Sequence, residues 1–117
     1  MKQKLIEILE TFCPDDVYLQ GTLNPESPYP QKFITFYTMD SEFDSFYDND
    51  ANKIDWYIHV VFYSSNPAEV LNTPPQIIRA LKAAGFIPIN AGIDIPSDVV
   101  THTGWAMEFI YPQKYTN

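Results

Sequence analysis

Lys53-Ile54-Asp55-Trp56-Tyr57-Ile58-His59-Val60-Val61-Phe62-Tyr63 is the stretch that decides the fold. Successive side chains of a strand point to opposite sides, so Ile54, Trp56, Ile58, Val60 and Phe62 share one face. That face is wholly apolar and belongs against a core, with Trp56 at its centre. The other face carries Asp55, Tyr57, His59, Val61 and Tyr63, the mixture expected of a sheet side that is half exposed or covered by a partner.

Before this strand, residues 33–39 (Phe-Ile-Thr-Phe-Tyr-Thr-Met) are rich in β-formers and read as a second strand. Between the two, Asp40 to Asn52 is acidic and turn-rich and reads as a hairpin loop. Residues 20–32, with Pro25, Pro28 and Pro30, favour an extended, polyproline-like loop. Val17-Tyr18-Leu19 forms a short strand. Leu5, Ile8, Leu9 and Phe12 fall at helical spacing, which predicts an amphipathic helix over 2–12, stopped before Pro14.

After it, Asn66-Pro67-Ala68-Glu69 is a helix start, with a capping Asn and Pro at the first helical position. Thr73-Pro74-Pro75-Gln76 repeats the signature, and adjacent prolines break an interior hydrogen bond. Either a short turn over 67–72 precedes a helix over 74–84, or one kinked helix spans both. Ile77, Ile78, Leu81 and Ala84 form its buried stripe, and Gly85 suits a left-handed cap. A short strand over 86–89, a loop over 90–102, a last strand over 103–111 and a frayed tail from 112 to 117 complete the chain. The order is α-β-β-β-α-β-β. It predicts a single α+β domain over 1–117, with two helices on a mixed, mainly antiparallel sheet.

Composition narrows the function classes. Of 117 residues, 45% are hydrophobic and 15% aromatic, enough for a core and against disorder. Seven Lys and Arg against 15 Asp and Glu leave a net charge of −8, which repels phosphate backbones and argues against direct nucleic-acid binding. The single cysteine, Cys13, allows no internal disulfide and no thiolate cluster, which fits a reducing compartment. No apolar run approaches a membrane span, and Glu7 and Glu10 spoil a signal peptide. A cytosolic protein is expected.

No motif points to catalysis. Asp40, Glu42, Asp44 and Asp48 match four ligand positions of a calcium loop, but Ser45 replaces the turn glycine and Ala51 the bidentate glutamate. His59 and His102 lack metal spacing; Asp98 beside His102 is too little for an acid–base site. Cys13 has no thiol-enzyme signature and reads as a buried helix-end residue, and Ser64 and Ser97 lack a nucleophile elbow. The four glycines do not cluster into a phosphate loop. We therefore expect no enzyme, no cofactor and no metal.

The aromatics are the residues left to explain. Tyr29, Phe43, Phe46 and Tyr47 lie outside the periodic segments, among Asp and Ser. Exposed aromatics in polar surroundings are typical interface anchors, although they could also fold back over the sheet. They are the candidate assembly residues.

Several segments together resemble a family. Phe33-Ile34-Thr35-Phe36-Tyr37-Thr38, Phe46-Tyr47-Asp48-Asn49, Val60-Val61-Phe62-Tyr63-Ser64-Ser65-Asn66-Pro67, Leu81-Lys82-Ala83-Ala84-Gly85-Phe86 and His102-Thr103-Gly104 look like the tail terminator, or tail-completion, proteins of long-tailed phages and prophages. The resemblance covers about residues 33 to 111; Pro74-Pro75 is atypical of that family's second helix. It implies a non-enzymatic virion component that forms a hexameric ring, caps the tail tube and joins it to the head connector. Such a protein is made in the bacterial host cytoplasm and ends in the virion tail. A ring with an acidic surface lets DNA slide without sticking. The rival expectation is a small regulatory or ligand-binding domain whose aromatics line a pocket.

Overall fold

A computed structural model of the chain describes residues 1–19, 30–47, 50–96 and 102–114, and over 42–53 and at residues 96 and 114 the backbone alone. Two helices, α1 (Lys2–Glu10) and α2 (Pro67–Ala83), pack on one six-stranded mixed sheet. Its strands are β1 (Val17–Leu19), β2 (Lys32–Tyr47), β3 (Asp50–Ser64), β4 (Ile87–Pro88), β5 (Ile93–Pro96) and β6 (Thr103–Lys114). The spatial order is β1-β2-β3-β6-β4, and β5 also pairs with β6. Only β1 and β2 run parallel. The α+β expectation therefore holds.

The alternation of β3 sorts the sheet into two sides. Ile58, Val60 and Phe62 are buried beneath the helices, beside Ile34 and Phe36 of β2 and Met107 and Phe109 of β6. Leu5 and Leu9 of α1, Ile77 and Leu81 of α2, and Phe86 close the core from above. Each such side chain stabilises the fold by roughly 1.5–3 kcal/mol through burial. Trp56 departs from the expected centre. It is half-buried at the margin of the core, and its indole N–H donates to Gln113 Oε1 at 2.7 Å.

The helix boundaries follow their caps. Asn66 Oδ1 accepts from the Ala68 N–H at 3.0 Å, with Pro67 in the first turn. At the other end Phe86 N–H donates to Leu81 O and Gly85 N–H to Lys82 O, closing a Schellman motif around Gly85 at φ +100°. Between these caps α2 is one helix through Pro74 and Pro75, settling the expected alternatives for one continuous element. Pro74 is buried, so its packing offsets part of the lost hydrogen bonding.

Three expectations are corrected. Residues 40–47 and 50–52 are not a loop but the far ends of β2 and β3, in register from Asp40↔Tyr57 to Tyr47↔Asp50. Ladder pairing outweighs the weak β-propensity of Asp and Ser there. The predicted 90–102 loop contains β5, which gains its partner from β6. The tail from 112 is strand as far as Lys114, because β6 pairs with Lys53–Asp55 of β3. The parts of the expected loops at 20–29, 48–49 and 97–101 lie outside the described residues, as does the end of the tail.

The register slips by one residue between Thr38 and Asp40. This bulge at Met39 reverses the alternation of β2, so Asp40 joins the face away from the helices. The long hairpin makes the molecule 53 Å in its greatest extent against 28 and 22 Å in the others. Its Cα radius of gyration is 15.5 Å, where a compact chain of this length gives about 13 Å.

Candidate functional site

Of the four sequence-selected aromatics, Phe43, Phe46 and Tyr47 stand in the distal half of β2, opposite Ile54, Ala51 and Asp50. Tyr29 lies outside the described residues. The three described positions thus belong to one element, an arm in which β6 flanks β3 as far as Lys53, so that Phe43 lies in a three-stranded part and, among the described residues, Phe46 and Tyr47 in a two-stranded tip. Along that arm β2 pairs with β3 on one side. On its other side β1 pairs only with Ile34–Phe36, so beyond Tyr37 no described strand pairs with the outer edge of β2. An unpaired strand edge presents backbone donors and acceptors to another chain.

The sheet face opposite the helices carries a second group. Phe33 stacks on Tyr63 with ring centroids 4.8 Å apart, and lies 5.7 Å from His102. His102 Nε2 donates to the Pro30 carbonyl at 2.8 Å. A Cβ at Gly104 would fall 2.7 Å from the Tyr63 ring, so the ring needs a glycine beneath it. Further along, Tyr37 and His59 pack at 4.8 Å, and His59 Nδ1 is buried with no hydrogen-bond partner among the described residues. Burial pushes the His59 pKa down, against the opposing pull of Glu108, its β6 neighbour. A neutral imidazole packed between side chains is a structural group here.

The other residues weighed for chemistry are separated. Cys13 is buried in the core and its thiol is pushed up to about 11 by burial, which holds it protonated and unreactive. Ser64 is buried, where its hydroxyl accepts from the Asn66 N–H at 3.0 Å. Asp40, Glu42 and Asp44 lie on an extended strand, and Asp48, Ser97 and Asp98 lie outside the described residues. Among the described residues no group of three His, Cys, Asp or Glu could hold a metal ion. Among them, too, no helix is long and apolar enough to cross a membrane.

One concavity escaped the sequence reading. A groove of about 520 Å³ runs between the first half of α2 and β5–β6, lined by Pro67, Val70 and Leu71 on one wall and Asp94, Thr103 and Trp105 on the other. Its floor is braced. The Trp105 indole N–H donates to the Ala91 carbonyl at 3.0 Å. Gly92, at φ +105°, passes so close that any Cβ would enter the indole. The available signals were Gly92 and the exposed Leu71, neither of which points to Trp105 without the fold.

No family model matches the chain, and no curated protein matches it. What can be said of function comes from the residues and their arrangement.

Proposed function

We propose that the protein is a structural subunit that assembles with copies of itself into a ring, of the tail terminator or tail-completion type, at the head-proximal end of a phage tail tube. The observation that carries this reading is the β2–β3 arm. It extends away from the helix-covered core, keeps one strand edge unpaired among the described residues, and holds Phe43, Phe46 and Tyr47. Ring subunits meet head to tail through two different surfaces, and a projecting hairpin is a direct way to reach a neighbour. The resemblance of residues 33 to 111 supplies the tail context, with a tail-tube protein and a head connector as partners and a hexamer as the expected ring. It also supplies the setting, host cytoplasm during assembly and the virion tail afterwards. The net charge of −8 suits a lumen that DNA traverses. The alternative, a small regulatory or ligand-binding domain, draws less support. The groove beside α2 has one aromatic in its lining, Trp105, where that reading expects several.

The test is a double substitution, Phe46→Ser with Tyr47→Ser. The expected outcome is unchanged circular dichroism and melting temperature, with loss of oligomers in light scattering and of co-purification with a tail-tube partner. A variant that folds and assembles like the parent would sink the arm as interface. A variant that unfolds would place these aromatics in the core.

A further inference from the structure

The groove beside α2 ends on a sheet edge, and the two features together define a binding mode. β5 pairs on one side with β6, from Ile93↔Ala106 to Pro96↔Thr103, and with no other described strand. Among the described residues its outer side therefore presents backbone groups at the groove's margin. Asp94 stands opposite Trp105 on the helix side of the sheet, and both line the groove. Across from them Leu71 is 75% exposed, while Ile93 beside Asp94 is 59% exposed. Leu71 therefore leaves apolar surface in water beside the aromatic floor, whereas Ile93, paired with Ala106, stands on the opposite face of the sheet.

We infer that this groove takes an extended peptide segment of a partner protein, added as a strand along β5, with a lysine or arginine directed at Asp94 and an apolar side chain between Leu71 and Trp105. Strand addition draws its affinity from main-chain hydrogen bonds and its specificity from pockets for alternate side chains. Charge selects the occupant. Asp94 is the only ionisable residue in the described lining, and the chain as a whole carries −8. The positive end of the α2 dipole at Pro67 is offset by Glu69 in its first turn. A basic segment is thus drawn to the groove, whereas an acidic one, or a second copy of this acidic chain, is repelled. The floor is preorganised, since the Trp105 indole is held by Ala91 and backed by Gly92.

The experiment uses the full chain, isotope-labelled for backbone amide spectra, and three blocked heptapeptides: one alternating valine and lysine, its valine–glutamate counterpart, and the lysine peptide N-methylated on alternate backbone amides. The lysine peptide should shift the amides of Val70, Leu71 and Ile93 to Ile95, and the other two should not. Asp94→Lys should weaken binding by about tenfold or more, as removal of a charge match does. Leu71→Ser should weaken it as well. Both positions are exposed, so both variants should keep the parent melting temperature. If Asp94→Lys does not fold, Asp94→Asn carries the comparison. The proposal is overturned if those amides stay still, if the glutamate or N-methylated peptide binds as well as the lysine peptide, or if both variants bind unchanged. It is also overturned if butylammonium alone matches the peptide, or if the same amides shift with protein concentration in the absence of peptide. The first would mark a small-cation pocket and the second a contact between copies.

Discussion

His59 shows how one residue couples burial to pH. Its ring packs against Tyr37, its Nδ1 is buried, and burial lowers its pKa more than Glu108 restores it. The unfolded chain takes up a proton at this residue near pH 6.5, before the folded chain does. The stabilisation from the neutral ring is therefore complete above about pH 6.5, and is lost as the pH falls through the lower folded value. Urea midpoints at pH 7 and pH 5 should fall more steeply for the parent than for His59→Phe, which keeps an aromatic ring at that position and cannot titrate. Parallel slopes would show that His59 is as easily protonated in the fold as out of it.

At the scale of elements, α2 carries a cost in its own middle. Pro74 and Pro75 remove the donors that would otherwise reach the Val70 and Leu71 carbonyls. Pro74 is buried and contributes packing, but Pro75 is exposed. Pro75→Ala should restore one helical hydrogen bond and raise stability by about 1–3 kcal/mol, the helix gain less the added freedom of the unfolded chain. A lowered melting temperature would show that the helix needs a kink there. Elements with strong internal signals were legible in the residues. The period of Ile58, Val60 and Phe62 identified the core face, and Asn66-Pro67 with Gly85 bracketed α2. Elements that owe their existence to a neighbour were not legible. In Asp40 to Tyr47 and in Ile93 to Pro96 strand formers are interrupted by Asp, Ser, Glu or Pro, so the local signal is mixed and the partners in β3 and β6 supply the ladder. The candidate assembly residues could be chosen as unclaimed aromatics. That three of them belong to one strand depends on that pairing, and the Trp105 groove depends on α2, β5 and β6 converging.

For the whole molecule, charge and shape oppose each other. In the proposed assembly the arm, whose outer edge is unpaired among the described residues, favours association, while a net charge of −8 drives like subunits apart. Salt decides the balance. The screening length shrinks from about 10 Å at 0.1 M to about 3 Å at 1 M, so repulsion between subunits weakens while apolar contacts persist. Sedimentation should therefore show larger assemblies as sodium chloride is raised. Dissociation by salt would instead mean that ion pairs hold the subunits together.

The position of β6 has a consequence for the protein's synthesis. It sits beside β3 in the sheet, yet it follows β4 and β5 in the chain. A ribosome extending the chain at roughly 5–20 residues per second releases the β2–β3 hairpin first. One flank of β3 then stays without its ladder until Thr103 to Lys114 emerge, and β4 and β5 have no partner among the described strands before that moment. The described sheet thus closes only with β6, and the nascent chain carries an adhesive strand from the end of β3 at Ser64 until β6 follows it out. Nascent chains stalled with Pro96 just outside the exit tunnel should be cut readily by protease and held by trigger-type chaperones, and those stalled past Lys114 should resist and be released. Equal resistance at both lengths would mean that the helices and the first hairpin suffice, and that the final strand is an addition to a domain already folded.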